Sequence, residues 1–214
     1  MWPKIEVIYA PKRKGMSFSD IELRQLLISV LALIFAFTMA LWSFGYGFFL
    51  EFAFAAAVLA VGTGFILHEM AHKFVAQRYN CWAEYRYSPF GLILTVISSM
   101  AGFLIAAPGA VFISGSVTRR ENGIISAVGP LTNLVIGAAI FPIAIFALPD
   151  FMRLLFFVAY INLFLGAFNM IPVPPLDGSK IYPWNLPVYV GMFAALVALI
   201  IPAFFMWSYG YLPF

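Results

Sequence analysis

The sequence predicts an α-helical polytopic membrane protein, and three observations support this fold class. The 214 residues are 64% hydrophobic and only 10% charged, whereas soluble domains contain about 25% charged residues. Five apolar runs are long enough for a membrane-spanning helix, which needs ~20 mostly apolar residues. The tryptophans lie near the predicted ends of these runs, as expected for side chains that settle at the membrane interface.

The predicted spans follow one another within a single domain that covers residues 1–214. Their approximate limits are 22–44, 50–78, 122–147, 151–170 and 185–208. Glycines and prolines mark the breaks between them, in "FGYGF" (44–48), "LPD" (148–150) and "IPVPPLDG" (171–178). The basic residues Lys12, Arg13 and Lys14 precede a first apolar run that is too long for the core of a signal peptide. We therefore expect residues 1–20 to form a cytoplasmic segment in front of a first transmembrane helix.

The distribution of charge and the cysteine content exclude two further features. The net charge of +3 is scattered along the chain, and no basic stripe indicates a nucleic-acid partner. The single cysteine, Cys81, excludes an internal disulfide and is typical of a chain that faces a reducing compartment.

Two further elements lie between the second and third predicted spans. Residues 81–88 ("CWAEYRYS") contain strong strand formers and predict a short β-strand. Residues 90–113 ("FGLILTVISSMAGFLIAAPGAVFI") form an apolar stretch that is long enough for a sixth span. The same stretch contains Ser98-Ser99, Gly102 and Pro108-Gly109, where it could bend. A sixth span and a re-entrant segment are therefore both compatible with the residues alone.

The second span contains the pattern "HEMAH", which is His68-Glu69-x-x-His72. Residues four apart lie on one face of a helix, so both imidazoles can reach one Zn²⁺ ion. Glu69 is displaced around the helix axis and flanks the metal, where it can take a proton from zinc-bound water as a general base. The alternative is a pair of histidines that only form hydrogen bonds between helices. The chain contains two histidines, and both lie in this motif, which favours the metal site.

A catalytic zinc site needs a third protein ligand. If the first span begins on the inner side, the second runs inward, and His68 lies in the inner half of the membrane. Glu51 and Asp150 then lie at the outer ends of their spans. Four candidates remain on the inner side, and the residues alone do not separate them: Cys81, Glu84, Glu121 and Asp177.

Three motifs together resemble the site-2 protease family, which are intramembrane zinc metalloproteases. They are "HEMAH" (68–72), "GPLTN" (129–133) and "NMIPVPPLDG" (169–178), and they place the catalytic core at about 50–180. The resemblance implies that Asp177 completes the zinc site. The chain contains no pattern typical of the PDZ or CBS modules that accompany some members, so it resembles a minimal form of the family.

The resemblance also maps the motif asparagines of the family onto Asn133 and Asn169. Near a metal, these amides could hold the substrate backbone or stabilise the oxyanion of a tetrahedral intermediate. The alternative is that they form hydrogen bonds between helices, which is how we interpret Asn162.

The metal site constrains how residues 90–113 cross the membrane. His68 and Asp177 can meet only if residues 81 and 121 lie on the same side, so the stretch must enter and return. Charge agrees, because a true crossing would place Arg119 and Arg120 outside. The resemblance implies a re-entrant strand hairpin beside the active site, with that site toward the cytoplasmic side of the cell membrane.

The sequence therefore predicts an intramembrane zinc endopeptidase that cleaves membrane-anchored proteins within the lipid bilayer. Two alternatives keep the same fold class. One is a catalytically inactive membrane scaffold, which the intact motif argues against. The other is a metal transporter that uses His68, His72 and Asp177 for transit, although such proteins usually contain internal repeats and none is visible here.

Overall fold

The computed structural model describes residues 16–43, 49–101, 104–147 and 149–208. Within these ranges, five helices are long and apolar enough to cross a membrane. They are Asp20–Trp42, Leu50–Arg78, Arg119–Phe146, Phe151–Asn169 and Leu186–Met206. The five predicted spans are therefore confirmed to within about three residues. Residues 1–15 of the expected cytoplasmic segment and the "FGYGF" break lie outside the described residues.

The helices and strands follow the predicted order along the chain. They are α1 (Asp20–Ser43), α2 (Leu50–Ala60), a π-helical turn (Val61–Ile66), α3 (Leu67–Arg78), β1 (Trp82–Tyr87), α4 (Pro89–Met100), β2 (Gly109–Ser114), α5 (Arg119–Phe146), α6 (Pro149–Asn169), α7 (Gly178–Trp184) and α8 (Leu186–Ser208). The π-helical turn joins α2 and α3 into one continuous span, and the "HEMAH" motif lies in α3. The predicted strand at 81–88 is confirmed as β1.

Residues 90–113 do not cross the fold in one pass. The helix α4 has 12 residues and is ~18 Å long, which is too short to span a bilayer. The chain then returns, and β2 pairs with β1 in an antiparallel register from Trp82↔Ser114 to Tyr87↔Gly109. The re-entrant course is therefore confirmed, because both ends of the segment meet at the same two-stranded sheet.

The expected strand hairpin within this segment is wrong, because its first half is helical. Ser88 caps the start of α4 by accepting a hydrogen bond from the N–H of Gly91 at 3.1 Å. Pro89 occupies the first helical position, where its fixed φ favours a helix and its missing N–H costs nothing. Only the second half is extended, and its strand partner is β1 instead of a second strand of the same segment.

The returning backbone after α4 obtains its hydrogen bonds from the helix itself. The Ser98 hydroxyl accepts from the N–H of Ile105 at 3.0 Å, and the Thr95 hydroxyl accepts from the N–H of Ala107 at 3.3 Å. The opposite face of α4 is exposed and apolar; it comprises Phe90, Ile93, Ile97 and Met100. The inner face of α4 is therefore polar and its outer face apolar. Lipid cannot form hydrogen bonds with the backbone between α4 and β2, so the polar face of α4 has to do so.

The helix α1 covers the outer edge of β1 with polar side chains. A Glu22 oxygen accepts from the N–H of Tyr85 at 2.9 Å, and the Gln25 side chain accepts from the N–H of Tyr87 at 3.1 Å. The second Glu22 oxygen forms an ion pair with Lys73 of α3, and neither side chain is exposed. One residue of α1 thus ties the metal-motif helix to the sheet.

The helices α5 and α6 pack closely through small residues. A side chain at Gly137 would begin 2.6 Å from the Leu163 side chain, so this approach requires glycine. Asn162 of α6 donates to the Thr63 hydroxyl in the π-helical turn at 2.8 Å. The sequence analysis predicted such a hydrogen bond between helices for Asn162. The contact fixes α6 beside the second span.

Candidate metal centre

Three buried side chains meet inside the helix bundle. His68 and His72 lie one turn apart on α3, so both rings point to the same side. The two Nε2 atoms are 3.0 Å apart. The Asp177 Oδ2 atom lies 3.3 Å from Nε2 of His68 and 3.1 Å from Nε2 of His72. Each of the three residues is less than a tenth exposed.

This donor set fits a Zn²⁺ ion. Ligand atoms bound at ~2.0–2.1 Å in a tetrahedral zinc site lie ~3.3 Å from one another, close to the spacing found here. The Nδ1 atom of His72 lies 2.6 Å from the carbonyl oxygen of Ile125. A carbonyl only accepts, so Nδ1 carries the proton and Nε2 presents a lone pair. The Nε2 lone pair of His72 and the Asp177 carboxylate thus converge with Nε2 of His68, as the donors of a metal site do.

Asp177 reaches the histidines because the chain unwinds after α6. That helix ends at Asn169, and α7 begins at Gly178. A Cβ atom at Gly178 would lie 2.0 Å from the carbonyl oxygen of Met170, so the turn that carries Asp177 requires glycine. The break that the glycine and prolines of "IPVPPLDG" predicted is therefore confirmed.

The electrostatics of Asp177 suit an ionised ligand. Burial raises the pKa of this carboxyl, but the charges and hydrogen bonds of protonated His72 and His68 would lower it by more. With neutral imidazoles, as zinc binding requires, the charge of the metal would take over this role. The net result is a pKa below the usual range of aspartate. Asp177 is therefore a carboxylate, which is the form that binds a metal ion.

The far end of the Asp177 turn is held by α5. The Arg119 guanidinium donates to the carbonyl oxygen of Pro183 at the end of α7. The Trp184 ring lies against Gly123, where an added Cβ would be 2.3 Å from the ring. The short helix after Asp177 is thus clamped to the start of α5.

Gly129, the first residue of "GPLTN", touches the metal cluster directly. A Cβ atom added at Gly129 would lie 2.3 Å from Nε2 of His72 and 2.6 Å from Nε2 of His68. The motif therefore brings bare backbone against the two imidazoles. The sequence interpretation concentrated on Asn133 and missed this glycine, although the glycine immediately before Pro130 was a visible signal.

Glu69 is buried beside the cluster but is not one of its three members. It follows His68 on α3, so its side chain leaves the helix about 100° away from that of His68. Its Oε2 atom accepts a hydrogen bond from the backbone N–H of Val111 in β2 at 2.9 Å. The sheet therefore lies directly against the proposed base.

The other candidate ligands are elsewhere. Glu84 binds Ser19 and Arg86, which lower its pKa although burial opposes them. Glu121 closes the capping box of α5 with Thr118. Cys81 is buried in an apolar cluster, and burial raises the pKa of its thiol. Among the described residues, only Asp177 joins the histidines in a group that could hold a metal ion.

The two motif asparagines occupy different environments. Asn133 is fully buried; its Nδ2 donates to the carbonyl oxygen of Gly64 at 3.2 Å, and its Oδ1 has no partner among the described residues. Asn169 is half-buried at the end of α6, and its Nδ2 donates to Leu165 of the same helix at 3.0 Å. The unpartnered group at Asn133 is thus an acceptor, whereas an oxyanion requires donors.

Comparison with known proteins places the chain in a family. The model for "Peptidase family M50" matches residues 147–187, which include Asp177 but not the histidine motif. The chain is 40% identical over 174 residues to "Putative zinc metalloprotease MJ0611" of Methanocaldococcus jannaschii, covering 78% of this chain and 86% of that protein.

Two further relatives carry similar names. "Zinc metalloprotease MJ0392" of the same organism is 29% identical over 54% of this chain and 30% of its own length. "Putative zinc metalloprotease YwhC" of Bacillus subtilis is 30% identical over 58% of this chain and 66% of its own length. No solved structure matches. The chain therefore belongs to peptidase family M50, the site-2 protease family of zinc metalloproteases.

Proposed function

We propose that this metalloprotease is an intramembrane endopeptidase, which hydrolyses peptide bonds of membrane-anchored proteins within the inner half of the bilayer. The observation that carries the proposal is the approach of His68, His72 and Asp177 to within 3.3 Å of one another at their donor atoms. These three residues are the proposed zinc ligands. They lie in a chain with five candidate membrane spans, so the chemistry takes place where a soluble peptide does not reach.

Zinc held by His68, His72 and Asp177 would supply Lewis acidity, which would polarise a peptide carbonyl and lower the pKa of water toward ~7. Glu69 is the proposed general base. Its carboxylate is buried on the same helix as the two histidines and is not needed as a ligand. Glu69 accepts a proton from the attacking water and returns it to the leaving amine. His72 is kept in the required tautomer by the carbonyl of Ile125.

Substrates reach the site as extended backbone. A membrane helix hides its carbonyls in its own hydrogen bonds and must unwind before hydrolysis. The outer edge of β1 is already covered by Glu22 and Gln25, so β2 offers the edge to which a substrate strand adds. Asn133 and Asn169 are proposed to contact this substrate backbone, with the buried Oδ1 of Asn133 as an acceptor for a peptide N–H.

The active site is proposed to face the cytoplasm. His68 lies ~15 Å along the helix from Arg78 at the end of α3. Arg78, Arg119 and Arg120 cluster at the ends of α3 and α5 that border the sheet. Basic residues favour the cytoplasmic side of a membrane, so this end of the bundle is assigned inside.

The proposal is tested with the purified full chain in lipid, by metal analysis and by cleavage of a panel of single-span proteins. We expect one zinc per chain, cleavage within the span, and loss of both on chelation with recovery on adding zinc. Asp177→Ala should weaken zinc binding by about 100-fold or more, because it removes a ligand rather than an outer contact. Glu121→Ala is the matched control and should retain zinc. Full zinc content in the Asp177 variant would contradict the assignment.

A further inference from the structure

The hydrogen bond between Glu69 and Val111 involves a backbone group that a substrate strand would need. In an antiparallel pair, opposite residues alternate between those that bond to each other and those whose N–H and C=O point away. The N–H of Tyr85 donates to Glu22 at the outer edge of β1. The N–H of its partner Val111 donates to Glu69 at the opposite edge, which is that of β2. This pair therefore directs its backbone groups outward.

The same alternation identifies the free edge of β2. Since Tyr85↔Val111 points outward, the pair two residues away, Ala83↔Ile113, does so as well. Ile113 is 37% exposed, and Val111 contacts Glu69 beside the metal cluster. An added strand would pair with both positions in turn. At Val111, however, the donor is already occupied by the Glu69 carboxylate.

We propose that the Val111 N–H is a latch on the catalytic base: it holds Glu69 at rest, and an extended substrate that pairs with β2 takes over this N–H and frees the carboxylate. This inference rests on the proposed function, because it needs Glu69 as the base and β2 as the docking edge. Val111 is a positioning residue, since it acts through Glu69.

The latch explains how hydrolysis is coupled to correct docking. A charge-assisted bond from a backbone N–H is stronger than a neutral one, so it holds the Oε2 atom of Glu69 against β2 until another acceptor takes its place. A peptide that does not pair with β2 leaves the bond intact. A peptide that does pair with β2 offers its own carbonyl to the Val111 N–H in place of the Glu69 carboxylate. The Val111 N–H therefore keeps a hydrogen-bond partner throughout.

The first test is amide hydrogen exchange in the full-length, zinc-loaded protein without substrate. We expect the Val111 amide to exchange at least ~10-fold more slowly than the Ile113 amide, because a charge-assisted bond protects it. Glu69→Ala should raise the Val111 rate to that of Ile113. Glu69→Gln keeps the shape and a weaker acceptor, and should raise the rate by a smaller factor. An unchanged Val111 rate in both variants would overturn the latch.

The second test measures binding of a single-span substrate peptide to the same two non-cleaving variants. Glu69→Ala removes the competitor for the Val111 N–H, so it should bind the peptide ~10-fold more tightly than Glu69→Gln. Equal or weaker binding would overturn the proposal. The exchange measurement needs no cleavage, so it tests the latch separately from the proposed function. If the wild-type protein binds no zinc and cleaves no substrate, the proposed function is refuted. If the exchange rate of Val111 does not change in the variants, only the latch is refuted.

Discussion

At the scale of single residues, the metal site depends on the absence of a side chain as much as on its ligands. Gly129 brings α5 within van der Waals distance of both imidazoles, and its hypothetical Cβ would overlap them. The His72 ring is held by the Ile125 carbonyl and the Asp177 carboxylate, so it cannot move aside without breaking the donor triangle. A glycine in the middle of a helix normally costs ~1 kcal/mol relative to alanine, so its presence here indicates a steric requirement.

Gly129→Ala should therefore weaken zinc binding strongly, by about 100-fold, and abolish cleavage. Gly191→Ala is the matched control, because a Cβ at Gly191 meets nothing within 4 Å. The control should keep its zinc and gain up to ~1 kcal/mol of helix stability. Zinc titration of both variants measures the difference. Normal zinc affinity in the Gly129 variant would contradict the close approach of α5 to the two histidines.

The proposed ligand residues were predictable from sequence to different degrees. The His68 and His72 pair follows from helical spacing alone, because residues four apart share a face. Asp177 did not follow from spacing: helix counting left it among four candidates, and only the family resemblance separated it. Gly129 and the Ile125 carbonyl were missed, because they reach the site through the packing of α5 against α3, which no local pattern encodes.

At the scale of elements, the second span is held to the sheet by a buried ion pair. Lys73 follows the second histidine, and its ammonium group binds the Glu22 carboxylate, which also accepts from the Tyr85 N–H. Neither side chain of the pair is exposed. The sequence analysis assigned no role to Glu22 or Lys73. The two residues are 51 positions apart in the chain, so no local pattern pairs them.

Lys73→Met should destabilise the fold by about 3–5 kcal/mol, since it leaves the Glu22 charge buried without a partner. The double variant Glu22→Gln/Lys73→Met removes both charges and should recover much of this loss, because an amide can still accept from Tyr85. Denaturation of wild type, single and double variants in detergent gives the comparison. A double variant less stable than Lys73→Met would contradict the coupling.

The re-entrant element depends on the polar inner face of α4. Thr95→Val is nearly isosteric but removes the acceptor for the Ala107 N–H. Ala107 is exposed in the fold, so the unpaired donor costs about 1–3 kcal/mol where lipid instead of water surrounds it. Thr38→Val is the matched control, because the buried Thr38 hydroxyl bonds only to the Ile34 carbonyl of its own helix. We expect lower thermal stability and faster proteolysis at 104–108 for Thr95→Val alone. Equal effects in both variants would contradict this role.

At the scale of the whole molecule, hydropathy predicted the five spans but not the course of residues 90–113. Their composition fits a sixth span, and only the metal site and the arginines required a return. The secondary structure within residues 90–113 was not predictable in the same way. The resemblance implied a strand hairpin, whereas Ser88 and Pro89 start a helix, and the strand partner of β2 lies outside the stretch.

The topology predicts that both ends of the re-entrant segment, residues 90–113, face the cytoplasm. Single cysteines at Arg78 and Ser116, in a Cys81→Ser background, test it; both native residues are exposed. Ser88 is less suitable because it is half-buried and caps α4. Phe49→Cys is the reference for the opposite side, since Phe49 is 83% exposed between α1 and α2. An impermeant thiol reagent outside intact cells should label only the reference, and inverted vesicles should reverse the pattern. External labelling of Ser116→Cys would show a true crossing.

The central claim is that a zinc site inside the membrane domain hydrolyses peptide bonds with Glu69 as its base, and Glu69→Gln tests it most directly. The substitution keeps the shape of the side chain but removes its ability to accept a proton. We predict one zinc per chain, as in the wild type, and a loss of cleavage by at least ~10²-fold, as expected for a missing general base. Metal analysis and a cleavage assay on the same preparation give both numbers. A variant that retains zinc and cleaves at the wild-type rate would contradict the account.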